Sequence, residues 1–433
     1  MYPKRTLLSN SRFLSAIQTD KFKTETLSVS IVMPTDKKVS PTSLLALSIL
    51  KRGSERYKTL GELNLRLDEL YATAISMKGQ RLGNANILGF SADMLCEEYT
   101  DGKTDILGGV LDVLTQMLYH PLTDGNGNFL SSYIESEKNN QCDSIKAQIN
   151  NPRAYASKRC REIMFEGDPY GISLLGTVET VSRITEAELS AAYRSLLSDY
   201  RYDFFYIGPR TIEEVARRIE EAFPCESHRE QICEVVQSVP KKRADKVRRV
   251  TEEMPLAQGK LVIGFTTETN IKSEDFFAMK VLNEIYGASP VSKLFMNVRE
   301  RLSLCYYCSS YYDNFKGALF VSCGVSPENR EKAEREILKQ LSEIVKGNVS
   351  DEEFEAAKRS LYNNYRSLSD SPSHLEGYYF CRNEFGVDCS IDQCMERIRA
   401  VKLSDVIRVA ANVCPDTVYF LNGSGEEGED ADE

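Results

Sequence analysis

The sequence predicts an α+β protein of two duplicated domains, each a mostly antiparallel sheet with helices packed on one face. Three observations lead to this prediction. At 433 residues the chain is too long for one ordinary hydrophobic core. Helical periodicity is interleaved with strand periodicity along the whole chain, which is typical of sheets covered by helices. The same order of elements also occurs twice, over residues 23–209 and again over residues 259–423.

The first half opens with a predicted strand over residues 23–35. A helix follows, with Ser40 as the expected N-cap and Pro41 at the first helical position. A second helix begins at a capping box formed by Thr59 and Glu62. The remaining predicted elements are two strands within 74–93, helices at 105–118, 129–149 and 185–197, and a closing strand at 202–209.

The second half repeats this order. Its predicted elements are a strand at 259–269, helices at 273–289 and 291–302, two strands within 304–325, helices at 328–346, 350–366 and 403–413, and a strand at 417–423. A capping box of Ser350 and Glu353 marks the helix at 350–366. The stretch between the halves is polar and basic, as expected of a linker. The predicted segments are an N-terminal domain over 1–225, a linker over 226–255, a C-terminal domain over 256–423 and an acidic disordered tail over 424–433.

Charge and hydropathy exclude several classes of protein. The net charge is −10, and residues 425–433 alone hold six acidic groups, so the rest of the chain carries −10 + 6 = −4 and gives no sign of a nucleic-acid partner. No apolar run reaches the length of a membrane span, which excludes an integral membrane protein. The first residues, MYPKRTLLSNSRF, lack the apolar core of a secretory signal, so we expect a cytoplasmic protein.

The histidines and cysteines give little support for a metal site. The three histidines, His120, His228 and His374, are not within helical reach of one another, so a histidine zinc site is hard to build. The twelve cysteines are scattered, which indicates free thiols in a reducing compartment. Cys305 and Cys308 have the spacing of half a zinc site. They lie on a predicted strand, where positions three apart point to opposite faces, so we expect their sulfurs to diverge. The residues predict no cofactor in this chain.

The stretch FMNVRERLSLCYYCSSYY (295–312) carries the strongest candidate for a binding site. Arg299 lies at the end of a predicted helix and Tyr306 just inside the next strand, so both side chains can point into one cleft. A guanidinium with fixed donors and a phenol hydroxyl are suited to binding peptide carbonyls. An ordinary amphipathic junction with a buried tyrosine explains the same residues, and the residue types alone favour that interpretation.

The duplicated order and this stretch together resemble the insulinase-type (pitrilysin-like) zinc metallopeptidase superfamily. Its members repeat an α+β domain and carry a segment R-E-x-x-G-L-x-Y in the later copy. Here the segment reads RERLSLCY (299–306), with Ser303 at the glycine position and the arginine and tyrosine retained. Residues 167–185 also resemble a phrase that is usual in the family. The resemblance extends over about residues 20 to 423, which is nearly the whole chain.

The resemblance also implies that the metal site has been lost. Active members carry H-x-x-E-H on the first helix, and alignment on KRGS (51–54) puts Leu44, Leu47 and Ser48 at those three positions. The family's third ligand, a glutamate on a later helix, falls at or near Ser144. Two leucines and a serine can neither bind zinc as imidazoles do nor activate water as the glutamate does. We therefore expect a vacated metal site that is packed as core.

In detail, including the phrase YIESEK (133–138), the sequence is similar to the non-catalytic member of paired insulinase-like proteins of Gram-positive bacteria. That similarity implies a catalytically silent subunit of a heterodimeric peptidase. Arg299 and Tyr306 would bind the peptide substrate, and a homologous partner bearing H-x-x-E-H would hold the zinc. One alternative is a purely structural scaffold without substrate binding. Another is a self-sufficient peptidase, which the missing ligands disfavour.

Overall fold

A computed structural model describes residues 2–9, 11–224 and 232–423, and the chain forms two compact units. Unit 1 comprises the described residues of 1–147, 172–237 and 371–381. Unit 2 comprises those of 148–171, 238–370 and 382–433. His228, the first residues of the predicted linker and the acidic tail over 424–433 lie outside the described residues.

Unit 1 is built on a six-stranded sheet with the spatial order β1-β2-β6-β3-β5-β4. The strands are β1 (Lys4–Leu7), β2 (Arg12–Gln18), β3 (Thr24–Pro34), β4 (Ala74–Leu82), β5 (Ala85–Leu95) and β6 (Arg201–Gly208). The β2–β6 pair is parallel, and every other neighbouring pair in this sheet is antiparallel. Alternate residues of β3, among them Leu27, Val29 and Ile31, enter the core of the unit, as the period-2 geometry of a strand requires.

The helices of unit 1 pack against this core. They are α1 (Val39–Leu50), α2 (Leu60–Glu69), α3 (Ile106–Tyr119), α4 (Ser131–Ala147), α6 (Val178–Ser182), α7 (Glu186–Ser198) and α8 (Ile212–Ala222). The predicted N-cap at Ser40 is wrong. Helix α1 begins at Val39, because the carboxylate of Asp36 accepts the N–H groups of Lys38 and Val39 at 2.7 and 2.9 Å. The predicted N-cap at Thr59 is confirmed, since its side chain accepts the N–H of Glu62, but the capping box does not close, because the Glu62 carboxylate accepts the N–H of Lys58.

Unit 2 repeats the topology with a five-stranded sheet of spatial order β7-β11-β8-β10-β9. The strands are β7 (Arg248–Met254), β8 (Gly259–Thr266), β9 (Cys305–Asp313), β10 (Ala318–Val325) and β11 (Cys414–Gly423). The β7–β11 pair is parallel and the other pairs are antiparallel. Strand for strand this is the order β2-β6-β3-β5-β4 of unit 1. The predicted α+β class with a duplicated domain is therefore confirmed.

The helices of unit 2 include two segments with π-type turns. Its helices are α5 (Pro152–Met164), α9 (Phe276–Asn283), α10 (Arg330–Val345), α11 (Asp351–Ser367), α13 (Ile391–Ala400) and α14 (Leu403–Ala410), and a further helix, α12 (Pro372–Phe385), begins in unit 1. The π-type turns span 284–288 and 294–301. Such wide turns are rare and often lie at functional sites. In the part of the chain that is described, no helix has both the length and the apolarity needed to cross a membrane.

The two units differ from the predicted segments in three places. Helix α5 comes from the first half of the sequence but belongs to unit 2. Its Cys160 and Met164 pack with Val262 and Tyr419 on the face of the sheet opposite to the alternating residues such as Leu261. Residues 371–381 come from the second half but belong to unit 1. Strand β7 lies within the range of the predicted linker, and its pairing with β11 makes it part of the sheet of unit 2.

Candidate functional site

Helix α1 of unit 1 carries the residues that align with the metal-binding motif. Leu47 is fully buried in the core of the unit, and Leu44 is 7% exposed. A Cβ placed on Gly79 of β4 would lie 3.1 Å from Cδ1 of Leu44, so the leucine packs closely against this strand. Ser48 donates its hydroxyl to the carbonyl of Leu44 at 3.0 Å and lies 3.8 Å from the sulfur of Met77. The two leucines fill space in the core, and the hydroxyl of Ser48 bonds to the backbone of its own helix. None of the three side chains is a ligand of the kind that zinc sites use.

The fourth aligned position, Ser144, is exposed on α4 and donates its hydroxyl to the carbonyl of Asn140 at 2.8 Å. Three carboxylates lie earlier on the same helix, those of Glu135, Glu137 and Asp143, and Glu137 forms an ion pair of 2.9 Å with Arg52. Among the described residues, α1 and α4 contribute no member to a group of three or more potential metal ligands. Leu44, Leu47, Ser48 and Ser144 therefore supply none of the donors that a zinc peptidase needs.

Arg299 lies in unit 2, in the last turn of the π-type segment. Its guanidinium lies over the ring of Phe295, 4.7 Å from the centroid, and Nε is 3.4 Å from a carboxylate oxygen of Glu300. The side chain remains 43% exposed. A guanidinium has five N–H donors, and the ion pair with Glu300 involves Nε, so within the described part of the chain further donors of Arg299 remain for a ligand.

Tyr306 lies on β9 at an irregularity of the sheet. Cys305 is opposite Val325 and Tyr307 is opposite Gly324, so Tyr306 is an extra residue with no counterpart on β10. Its side chain is 75% exposed. The alternative interpretation of a buried tyrosine at this junction is therefore wrong, because the bulge turns the ring outward.

Arg299 and Tyr306 line one open cavity of about 480 Å³ within unit 2. Its other polar lining residues are Gln258, Glu300, Ser303, Ser326 and Asn329. The arrangement combines a cation, a phenol hydroxyl, an amide and small hydroxyls around an accessible space. Groups of this kind bind peptide carbonyls and termini through hydrogen bonds.

Ser303 holds the turn that separates Arg299 from Tyr306. Its φ of +49° lies in the left-handed region that glycine adopts without strain, and it stands where the family segment has glycine. The N–H of Leu304 bonds to the carbonyl of Val298, six residues earlier, at 3.1 Å, so the π-type segment closes through a left-handed residue with a bond one residue wider than the usual Schellman bond. The backbone at Ser303 thus adopts a conformation that glycine would adopt without strain.

Ser303→Gly is expected to raise the free energy of unfolding by about 0.5–1 kcal/mol. The left-handed conformation costs a non-glycine residue ~1–2 kcal/mol, and the extra freedom of glycine in the unfolded chain cancels part of that gain. Urea denaturation of both proteins measures the difference. Ser326→Gly is the matched control, because Ser326 has a φ of −67° and its replacement should destabilise. A loss of stability in Ser303→Gly would contradict this account of the turn.

The thiols near Tyr306 correct a prediction made from the sequence. The sulfurs of Cys305, Cys308 and Cys323 all lie within 4.8 Å of one another. The expectation that the first two diverge is wrong, because the extra residue at Tyr306 shifts the alternation of side chains and brings both to one face. Cys308 is directly opposite Cys323 on β10, which adds the third sulfur. Sequence patterns could not locate the bulge, and Cys323 was missed with it.

Comparison with known proteins shows similarity to inactive members of a peptidase family. A family model described as the peptidase M16 inactive domain matches residues 183–361. The probable inactive metalloprotease YmfF of Bacillus subtilis is 28% identical over 408 residues, which cover 94% of this chain and 95% of that protein. A crystal structure of a conserved protein from Enterococcus faecalis V583 has a TM-score of 0.91 at 26% identity, over 99% of this chain and 100% of that one. A peptidase M16 inactive domain from Pseudomonas fluorescens has a TM-score of 0.79 at 14% identity, over 99% and 100% of the two chains.

Fold and site together define a class of protein: a peptidase-like duplicated α+β chain whose metal-binding positions hold no ligands. The similarity to YmfF extends over nearly the full length of both chains, and the structural similarity does so as well. Residues 183–361 match the peptidase M16 inactive domain, and the chain is homologous to the probable inactive metalloprotease YmfF.

Proposed function

We propose that this chain is the catalytically silent subunit of a heterodimeric insulinase-like zinc peptidase. In this proposal it binds part of the peptide substrate through Arg299 and Tyr306, and a homologous subunit bearing H-x-x-E-H supplies the zinc. One observation carries the proposal. The packed α1 positions hold no metal ligand, whereas Arg299 and Tyr306 both line an open cavity in unit 2.

The surroundings of the cavity support peptide as the ligand. Strand β9 is last in the order of its sheet, so within the described residues one of its edges has no neighbouring strand. An extended peptide can add to such an edge through main-chain hydrogen bonds. Tyr306 and Arg299 lie at the start of this strand, where they could bind carbonyl groups of the same peptide.

The isolated chain is expected to cleave no peptide. Catalysis of the zinc type needs a ligand set and a glutamate base, and Leu44, Leu47 and Ser48 provide neither. A panel of quenched fluorescent peptides, incubated with the purified chain and excess Zn²⁺, should remain intact. Cleavage that a chelator abolishes and Zn²⁺ restores would contradict the prediction.

Assembly is tested by co-purification of the tagged chain from its native host, followed by peptidase assays of what accompanies it. The proposal expects a homologous chain with H-x-x-E-H and an activity that neither subunit has alone.

The contacts of Arg299 with Phe295 and Glu300 favour a second candidate, a structural scaffold, because they already give the guanidinium a role in packing. A partner that is fully active without this chain would support the scaffold.

A further inference from the structure

Three thiols lie together beside the cavity in unit 2. Cys308 is 3% exposed and Cys323 is fully buried, whereas Cys305 is half-buried and lines the cavity wall. The three belong to two adjacent strands, so their backbones are fixed by the sheet and not by a loop. No disulfide joins them. Among the described residues this is the one group of three or more potential metal ligands with its donor atoms in mutual reach.

We propose that Cys305, Cys308 and Cys323 bind one Zn²⁺ ion through three thiolates, with the fourth coordination position open to the cavity. The spacing of the sulfurs fits this role. A Zn–S distance of ~2.3 Å in a tetrahedral site places sulfurs about 3.8 Å apart. All three sulfurs already lie within 4.8 Å of one another, so side-chain rotations of small size would complete the site.

The charge of the surroundings favours a divalent ion. Three thiolates with Zn²⁺ leave one net negative charge, and the guanidinium of Arg299, which lines the same cavity, can balance it. Cu⁺ in the same place would leave two negative charges. The charge of Arg299 also helps to lower the pKa of Cys305, although the main cause is hydrogen bonding by the thiols of Cys308 and Cys323.

Binding of Zn²⁺ to the three thiols releases protons. Zn²⁺ displaces a proton from each thiol that still carries one, and a water molecule or a ligand from the cavity fills the fourth position. Affinity should therefore fall as the pH is lowered.

The proposed site is independent of the lost peptidase site. It lies on β9 and β10 of unit 2, whereas the vacated positions lie on α1 and α4 of unit 1. It also departs from the expectation that this chain carries no metal, since that expectation rested on the histidines and on diverging sulfurs. The inference does not depend on a partner subunit or on binding of a peptide.

Titration of the reduced, metal-free full chain with Zn²⁺ against a chromophoric chelator tests the proposal. We expect one equivalent to bind, and Co²⁺ in its place to give the absorption of a tetrahedral thiolate site. Cys305→Ser should weaken binding by more than the ~10–100-fold that loss of an outer-shell partner costs. This variant tests the cluster without disturbing the core, because Cys305 is half-buried. Cys414→Ser is the matched control, a half-buried free cysteine of the same unit outside the cluster, and should bind as the wild type does.

Several outcomes would overturn the proposal. One is the absence of a bound equivalent in the reduced wild-type chain, and another is unchanged affinity in Cys305→Ser. A disulfide within the cluster that forms readily in air, together with no Zn²⁺ binding after reduction, would identify a redox pair instead. Binding of Cu⁺ but not of Zn²⁺ would retain the cluster as a metal site and reject the ion proposed here.

Discussion

Replacing Arg299 by alanine, or Tyr306 by phenylalanine, is expected to lower kcat/KM of the assembled peptidase about ten- to a hundred-fold. The loss of a hydrogen bond to a charged group costs ~1.5–3 kcal/mol, and it appears in the rate if the bond strengthens in the transition state. Both side chains are largely exposed, so the free energy of unfolding should change by less than about 0.5 kcal/mol. Steady-state cleavage by the reconstituted pair measures the first effect, and urea denaturation measures the second.

The controls separate binding from packing. Arg299→Lys should recover only part of the rate, because an ammonium cannot reproduce the planar set of donors. Arg301→Ala changes an exposed arginine two residues further on, outside the cavity lining, and should cleave at the wild-type rate. If Arg299→Ala and Tyr306→Phe also cleave normally, the pair belongs to the structure and the scaffold is the better proposal. If either variant fails to assemble, the residue belongs to the subunit interface.

Restoring the motif through Leu44→His, Leu47→Glu and Ser48→His is expected to destabilise the chain without giving activity. Each polar group left unpaired in the core costs about 1–3 kcal/mol, and Leu47 has no exposed surface from which a carboxylate could reach water. Ser144 on α4 would still provide no third ligand. Thermal denaturation should show the loss of stability, and peptide cleavage should remain absent.

Ser48, the half-buried position of the three, provides the control for this experiment. Ser48→His alone replaces a side chain that is not fully buried, so it should cost less than either leucine replacement. Addition of Ser144→Glu to the triple variant tests whether the ligand count is the obstacle. A stable and active triple variant would show that α1 is still an intact peptidase helix, and it would remove the basis for a silent subunit.

Elements with strong local signals could be predicted from the sequence. The capping box at Ser350 forms as expected, because its hydrogen bonds depend on four consecutive residues. The repeated order of strands follows from apolar alternation, and the sheet orders of both units agree with it. The burial of Leu44 and Leu47 was also predictable, because helix α1 consists mostly of apolar and small residues and therefore packs in the core.

Features that depend on distant parts of the chain could not be predicted. Strands β2 and β7 pair with β6 and β11, which lie far away in sequence, and β1 is an edge strand that pairs with β2. The π-type segment over 294–301 looks like an ordinary helix in its periodicity. The bulge at Tyr306 has no local signature, yet it decides both the exposure of the tyrosine and the convergence of the three thiols. The site was thus predictable in residue identity and not in geometry.

The exchange of segments between the halves has a consequence for biosynthesis. Unit 1 needs residues 371–381, where Glu376 bonds to Ser28 of β3 and to Lys78 of β4. Its last preceding helix ends at Ala222, so 381 − 222 = 159 further residues must be translated before this piece arrives. At ~5–20 residues per second the nascent first half waits about 8–32 s on the ribosome while Ser28 of β3 and Lys78 of β4 lack their partner Glu376. The need for chaperones during synthesis should therefore depend on how soon residues 371–381 are translated. A ribosome that stalls in the second half would leave an aggregation-prone first half.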